Sequence, residues 1–304
     1  MTTLRDLKGR IKTVKSSQKI TKAMQMVAAS KLRKAKDAIF ASRPYTEKLL
    51  HLLKIVGSEV RSHTRFPMIF GRVDPKAVLI ICVSSDRGLC GAFNANIAKS
   101  VKSLSSNLRS GGKSVKILSI GQKAFDFLKN HMNNVEKFET EANIPNVDDA
   151  IKITASIISE FRKKTLDECY LVYNEFISVV SQKTQQFKLL PFNVHEDDGK
   201  DESDKTEDDK FDEAIKGSYH ICEPEAVDMI DDMVTDVIAA SIYRAMLENA
   251  ASEHGARMTA MDNATRNANE MVKTLNIEYN RKRQAAITTE LTEIISGAEA
   301  INDG

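Results

Sequence analysis

One short segment of the chain carries residues that could do chemistry. Residues 85 to 94 read SDRGLCGAFN, with Cys90 lying between two glycines. The segment follows an apolar run and leads into a helical pattern, which is where α/β enzymes place their ligands. Cys90 is therefore a candidate nucleophile, and the backbone around Gly88 and Gly91 is a candidate nucleotide site.

The surrounding residues argue against both kinds of site. The segment has too few glycines for the dinucleotide fingerprint GxGxxG, and it lacks the GK[ST] ending of a P-loop. No histidine or other base lies near Cys90 in the sequence to activate its thiol. A structural turn is the favoured interpretation, with a nucleotide site or a cysteine enzyme of the α/β class as alternatives.

The other cysteines and the histidines indicate no metal centre. The cysteines form no CxxC pair, and the histidines show no ligand spacing. We therefore expect no metal or cofactor, and a reducing cytosolic compartment fits this cysteine usage. The cysteines are Cys82, Cys90, Cys169 and Cys222, and the histidines are His51, His63, His131, His195, His220 and His254.

Positive charge is concentrated at the N-terminus, although the formal net charge of the chain is only +2. Residues 1–36 contain eleven Lys and Arg residues against the single acidic residue Asp6. Clustered cations can bind nucleic acid by releasing counterions from phosphates. The segment has no recognisable nucleic-acid-binding motif, so a solvated or protein-facing surface is favoured, with a basic coiled-coil nucleic-acid-binding protein as the alternative.

The basic residues lie on a segment with a helical repeat. Apolar or small residues recur every three or four positions from Leu4, which predicts a long coiled-coil helix over residues 1–56. Gln18, Thr21 and Gln25 occupy positions on the apolar stripe. Polar residues at such positions weaken the packing but help to fix the register of a coiled coil.

A second, longer helix is predicted over residues 223–304. Pro224 lies between two glutamates, as at a helix start, and no proline follows it. Apolar residues then alternate in steps of three and four from Met258 to Tyr279, which is typical of a coiled-coil seam. The two helices leave the same middle segment, so an antiparallel pair is expected.

The length of the second helix predicts an unpaired end. If the pair begins near Val56 and Pro224, Leu4 lies opposite about residue 276, and the last quarter of the long helix has no partner within the chain. That part still carries an apolar stripe, which predicts a partner outside the chain. The stripe contains Ile287, Leu291 and Ile294.

The middle segment, residues 75–222, is predicted to be a Rossmann-like α/β domain. The run AVLIICV at 77–83 is typical of a strand buried on both faces. Eleven acidic residues against three lysines at 196–213 predict a solvated loop. Further strands are predicted at 114–120 and 169–178, with helices at 92–108, 122–132 and 147–164.

Four segments resemble the gamma subunit of F-type ATP synthases. The last of them matches the C-terminal signature of that family almost position for position, and the resemblance is looser in the middle of the chain. The long acidic loop departs from the family pattern. The segments are TKAMQMVAASKL at 21–32, SDRGLCGAFN at 85–94, SEHGARMTAM at 252–261 and YNRKRQAAITTELTEIISGA at 279–298.

The resemblance implies a rotor shaft that is not itself an enzyme. Its coiled coil would lie inside a ring of three alpha and three beta subunits, and its α/β domain beside the epsilon subunit and the membrane c-ring. Proton flow would turn the c-ring and this chain together, while ATP chemistry would stay in the ring. No stretch approaches the roughly 18 apolar residues of a membrane-spanning helix, so membrane contact would be through the complex only. The absence of a transit peptide favours the cytoplasmic face of a bacterial plasma membrane.

The resemblance also implies which residues contact the ring. Met24 and Arg257 would pass near an acidic lever loop of beta, with Arg257 as an exposed helix charge. Four residues would contact the bearing and catch region farther along the shaft. They are Arg283, Gln284, Thr288 and, nearby, Glu293.

Overall fold

The computed structural model describes residues 3–59, 66–140, 144–192 and 226–302. The acidic loop predicted at 196–213 and Cys222 lie outside these residues. Two long helices, α1 (Leu4–Glu59) and α6 (Ala226–Asn302), flank an α/β region. The intervening elements are α2 (Pro67–Phe70), β1 (Ala77–Val83), α3 (Phe93–Ser110), β2 (Ser114–Ile120), α4 (Gln122–Leu128), β3 (Val135–Phe138), α5 (Val147–Arg162), β4 (Glu168–Phe176) and β5 (Gln182–Leu190).

The sheet has the strand order β3-β2-β1-β4-β5. The first four strands are parallel, and β5 pairs antiparallel with β4. The order 3-2-1-4 is that of the first four strands of a Rossmann sheet, with the strand order reversing between β1 and β4. Every residue of β1 after Ala77 is buried, as a central parallel strand requires. The predicted α/β class is confirmed.

Helices cover both faces of the sheet. On one face α3 and α4 pack against the sheet in an apolar cluster that includes Ile80, Ile97 and Ile117. On the other face the first turns of α6 pack with α5, and Ile238 and Ile157 belong to the same cluster. The long helix is therefore rooted in the core of the α/β region, because burial of these side chains is the main force that holds it there.

Beyond the sheet, α1 and α6 form an antiparallel coiled coil, and polar side chains of the two helices contact each other. Gln18 Nε2 donates to Asn269 Oδ1 at 2.5 Å, and the hydroxyls of Thr21 and Thr265 are 2.7 Å apart. Gln25 Nε2 donates to Asp262 Oδ1 at 3.1 Å. We call these three pairs the polar ladder. Steps of three and then four residues up α1 are matched by steps of four and then three residues down α6, so the ladder defines the register.

The register differs from the expected one. If the pairing of the ladder is extended along both helices, Leu4 lies level with about residue 283, whereas residue 276 was expected. Val56 likewise lies level with Ile230, whereas Pro224 was expected. Val56 and Ile230 do lie in one apolar cluster. The expectation was wrong because matching of buried side chains sets the register, not the points at which the helices enter the α/β region.

The shorter elements follow the predictions, except that the short helix α2 and two strands were not predicted. The strands at 77–83 and 114–120 are confirmed, whereas the strand expected at 169–178 begins at Glu168 and ends at Phe176. The helix expected to reach residue 132 ends at Leu128. Strands β3 and β5 were not predicted. Among the described residues, no helix is long and apolar enough to cross a lipid bilayer.

Candidate functional site

The turn from β1 to α3 holds its shape through its own side chains. Asn94 Oδ1 accepts a hydrogen bond from the Ser85 amide at 3.2 Å, and Asn94 Nδ2 donates to Ser85 Oγ at 2.8 Å. Ser85 Oγ in turn donates to the carbonyl of Arg87 at 2.7 Å. Gly91 has a φ of +61°, a left-handed conformation that glycine adopts without strain. Residues 84–92 therefore form a rigid structural turn.

The same turn is bonded to the start of α4. Gln122 N donates to Asp86 Oδ1 at 3.0 Å, and Ala124 N donates to Ser84 Oγ at 3.2 Å. Gly121, just before α4, has a φ of +100°, and a Cβ there would lie 2.5 Å from the Ser84 carbonyl oxygen. Only glycine allows this approach, so the turn and the start of α4 are held in close contact.

Cys90 lies inside the turn and does not have the environment of a nucleophile. Its side chain is 2% exposed, and Asn94 Nδ2 donates to its sulfur at 3.3 Å. Burial raises the pKa of the Cys90 thiol, although the nearby Arg257 opposes the shift. A thiol with a raised pKa stays protonated at neutral pH and attacks poorly. The structural interpretation of this turn is therefore favoured over the cysteine enzyme.

Arg257 on α6 clamps the turn. Its Nη2 donates to the carbonyls of Arg87 at 3.1 Å and Gly88 at 3.2 Å, and its Nε donates to Gly88 O at 3.3 Å. Glu253 Oε1 lies 2.6 Å from Nη2 and supplies the countercharge. Only 9% of Arg257 is exposed, so the interpretation of Arg257 as an exposed helix charge was wrong. The error arose because its partners lie about 170 residues earlier in the chain.

His254 completes the charged cluster. Its Nδ1 is 3.2 Å from Arg257 Nη1, and since arginine only donates, Nδ1 accepts and the imidazole is neutral with its proton on Nε2. Burial, with the charges of Arg257 and Lys31, lowers the pKa of His254 to about 4. Burial raises the pKa of Glu253, against the pull of Arg257. The low pKa of His254 fits its neutral acceptor role.

The hairpin between β4 and β5 packs against α6 as well. A Cβ on Gly255 would lie 3.4 Å from both the Phe176 ring and the Val179 carbonyl oxygen, so the helix and the hairpin are in close contact. Thr259 Oγ1 donates to Val179 O at 3.3 Å, and the buried Ser252 Oγ donates to Asn174 O at 3.0 Å. We call the turn 84–92 and the hairpin segment 174–182, together with residues 252–259 of α6, the collar.

A small open cleft of about 240 Å³ lies between the two loops of the collar. Cys90, Asn96, Gln182 and Asn263 are among its lining residues. The part of the chain that the structure describes contains no group of His, Cys, Asp and Glu side chains that could hold a metal ion. The collar is therefore suited to holding α6 against the α/β region.

The remaining predicted site residues lie far from the collar or on its edge. Met24 is half-buried on α1 next to Gln25 of the polar ladder, and the following Met26 and Val27 are exposed. The four residues predicted farther along the shaft, Arg283, Gln284, Thr288 and Glu293, are all exposed on α6 where it has passed the start of α1.

The end of α6 also exposes apolar side chains. Ile287 is 47% exposed, Leu291 54% and Ile294 66%. We call residues 284–297 the tip. Because the register brings Leu4 level with about residue 283, α1 cannot cover this stripe.

Sequence reasoning missed most of the collar. It found the segment that contains Glu253, His254 and Arg257 only as a family motif, and it gave Arg257 a contact outside the chain instead of the contact with the turn. The one available signal was Gly255, since a glycine in the middle of a long helix often marks a close approach of another element.

A coiled coil rooted in an α/β domain, clamped by a collar and ending in a single exposed helix defines a stalk protein. A family model described as ATP synthase matches residues 3–301. The ATP synthase gamma chains of Pelagibacter ubique and Granulibacter bethesdensis are each 43% identical over 99% of this chain and 100% of their own length. The chain belongs to the ATP synthase gamma-chain family, and the resemblance found in its motifs is confirmed.

Solved structures share the fold. A chain in the central stalk and c-ring structure of the Tetrahymena thermophila mitochondrial ATP synthase is 26% identical, with a TM-score of 0.57 over 81% of this chain and 99% of that chain. A chain in a Euglena gracilis mitochondrial ATP synthase structure has a TM-score of 0.64 over 99% of this chain and 95% of that chain, at 22% identity. These relationships do not favour the nucleic-acid-binding or cysteine-enzyme alternatives.

Proposed function

We propose that this chain is the central rotor shaft of a proton-translocating F-type ATP synthase. It transmits torque between a membrane c-ring and a ring of three alpha and three beta subunits, with an epsilon subunit beside its α/β domain. The observation that carries the proposal is the tip, which is an exposed apolar stripe on the part of α6 that extends beyond α1. ATP chemistry belongs to the ring, and this chain supplies only changing contacts.

Coupling follows from contacts that differ with rotor angle. A shaft shifts a beta subunit between nucleotide-binding states only if it binds those states with different affinity. An asymmetric coiled coil presents a different face to each beta subunit, so each rotor angle stabilises a different set of states. The complex would lie at the cytoplasmic face of a bacterial plasma membrane, with this chain attached through its partners.

The proposed contacts divide between two levels of the shaft. At the upper level, Arg283, which directly precedes the tip, and Gln284, Thr288 and Glu293 within the tip would contact the ring, since all four are exposed. Lower down, Met24 would contact a beta subunit together with the exposed Met26 and Val27 beside it. Arg257 lies at a similar level, but its burial and internal partners fit a positioning role better than a direct contact.

Truncation after Ala286 tests the function of the tip. The shortened chain keeps the polar ladder and the α/β core, so it should melt near the temperature of the full chain. Torque in the assembled complex should fall without vanishing, because the contacts near Met24 remain. The measurements are ATP-driven rotation, proton pumping and thermal melting. An unfolded truncated chain, or undiminished torque, would contradict the assignment of the tip.

A charge reversal tests the same surface without shortening the chain. Arg283→Glu should impair the coupling of hydrolysis to pumping, whereas Lys273→Glu on the paired part of α6 serves as the matched control. Both side chains are exposed, so each substitution should change the free energy of unfolding by only about 0 to 1 kcal/mol. Equal coupling in the two variants would argue against a ring contact at Arg283.

A further inference from the structure

We infer that the collar is the joint that fixes the α/β domain in rotation about α6, so that torque passes between the domain and the coiled coil through it. The inference rests on the proposed rotor function. It assigns a mechanical role to Gly255 and Arg257, which hold the shaft against two loops of the domain that are far apart in the sequence.

The collar holds α6 from two opposite sides. Successive residues of an α-helix are rotated by about 100°, so positions 255 and 257 point about 200° apart. Gly255 faces the hairpin at Phe176 and Val179, whereas Arg257 faces the turn at Gly88. Rotation of the helix in either direction would therefore break contacts on both sides at once.

The contacts of the collar depend on orientation in a way that apolar burial does not. The cluster that roots α6 in the domain is held by the hydrophobic effect, which is non-directional. Hydrogen bonds weaken steeply when their angle is lost. Arg257 makes three such bonds to backbone carbonyls, and the buried Ser252 makes a fourth to Asn174 O. These bonds supply the angular constraint.

The collar also lies at the level where the contacts of α6 change from the α/β domain to α1. Farther along α6, Thr265 and Asn269 bond to α1 instead of the domain. On the domain side, the turn follows β1 directly and is hydrogen-bonded to the start of α4 through Asp86 and Ser84. A force on the Arg257 guanidinium is therefore passed to the sheet through the backbone of the turn and these hydrogen bonds.

The test is the torsional stiffness of the assembled complex. A rotation probe is attached to the α/β domain, the ring is stalled, and the thermal angular spread of the probe is recorded. Arg257→Gln should widen the variance about two-fold and speed amide exchange of residues 85–92 about ten-fold, because a charged, buried hydrogen-bond network is lost. Gly255→Val should also widen the angular spread, because it disturbs the contact between α6 and the hairpin.

Arg266→Gln is the matched control. Arg266 is also an arginine of α6 paired with a carboxylate four residues earlier, Asp262, but it is 73% exposed. Its substitution should leave the angular spread and the exchange of 85–92 at wild-type values. Arg257→Lys keeps the charge with fewer donors and should give an intermediate spread, which also decides the matter if Arg257→Gln does not fold.

Three outcomes would overturn the inference. An unchanged angular spread with faster exchange of 85–92 would show that torque bypasses the collar, while the rotor function stands. Unchanged exchange would show that Arg257 does not hold the turn. A wild-type complex whose probe does not rotate on ATP addition would overturn the rotor function itself, and the inference with it.

Discussion

The first and last turns of α6 carry apolar stripes of similar spacing in opposite surroundings. Ile230, Val234 and Ile238 are completely buried against the α/β domain, whereas Ile287 and Ile294 at the tip are about half exposed or more. Helical spacing determines which residues share a face, but the reach of other elements determines whether that face is covered. The comparison shows that one helix uses the same pattern as core at its base and as an interface at its tip.

The largest expected effect comes from the same substitution, isoleucine to alanine, made at each of the two ends of α6. Ile238→Ala should lower the free energy of unfolding by about 2 to 5 kcal/mol, since it removes buried methyl groups and leaves a cavity. Ile294→Ala should change it by less than about 0.5 kcal/mol, because the side chain is already in solvent. Urea unfolding of the isolated chain measures both, and similar losses would refute the contrast between base and tip.

A pair of glycine substitutions sharpens the comparison. Gly121→Ala should destabilise the chain by about 1 to 3 kcal/mol, because its positive φ and its approach to Ser84 O exclude a Cβ. Gly297→Ala should stabilise α6 by up to about 1 kcal/mol, since nothing lies within 4 Å of the added carbon. The melting temperatures should therefore move in opposite directions, and a shared direction would contradict the local geometry.

The stability contributed by the collar should depend on pH, whereas that of the tip should not. His254 is neutral above its ordinary pKa of 6.5 whether folded or unfolded, so its contribution to stability is fully present there. Between pH 6.5 and the folded pKa of about 4, only the unfolded chain binds the proton, so stability falls as the pH is lowered.

His254→Gln removes that titration. The slope of the unfolding free energy between pH 6 and 5 should flatten by up to about 1.4 kcal/mol per pH unit. Glu253 titrates in both proteins, so the difference isolates the histidine. Truncation of the tip after Ala286 serves as the control and should leave the slope unchanged. An equal slope for His254→Gln and the parent chain would show that the imidazole is not neutral in the collar.

The smallest effect is expected in the polar ladder, between the two ends. Replacing both Thr21 and Thr265 by Val substitutes an apolar pair of similar shape, which should change stability by less than about 1 kcal/mol. Each single substitution should lower the free energy of unfolding by more than half of the change in the double variant, because it leaves one hydroxyl facing a methyl group. A double-mutant cycle by urea unfolding measures the coupling, and strict additivity would mean that the hydroxyls do not interact.

Sequence patterns predicted the elements whose residues are strongly periodic or uniformly apolar. The central strand at 77–83 and both long helices are in this class, and the helix starting at Val147 was placed at its correct first residue. Strand β3 was missed because it has four residues, and β5 because its QKTQQFKLL sequence is mostly polar, as suits an edge strand.

The collar lay beyond sequence reasoning for a different reason. The burial of Arg257 depends on the carbonyl groups of Arg87 and Gly88. Every residue has a backbone carbonyl, so residue types do not reveal which carbonyls will accept a hydrogen bond. The register of the coil likewise depended on which side chains of the two helices pair, and the expected register was in error by about six residues. Motif resemblance identified the family without revealing either contact.

The polar ladder also limits how the length of this protein can change. Deleting one residue from α1 between the ladder and the domain would rotate everything beyond it by about 100°, so Thr21 would no longer face Thr265. Loss of seven residues from α1 would restore the facing only if α6 lost seven at the same level. Insertions and deletions in the unpaired tip should therefore leave the fold intact, whereas in the paired shaft they should be compatible with folding only as matched pairs.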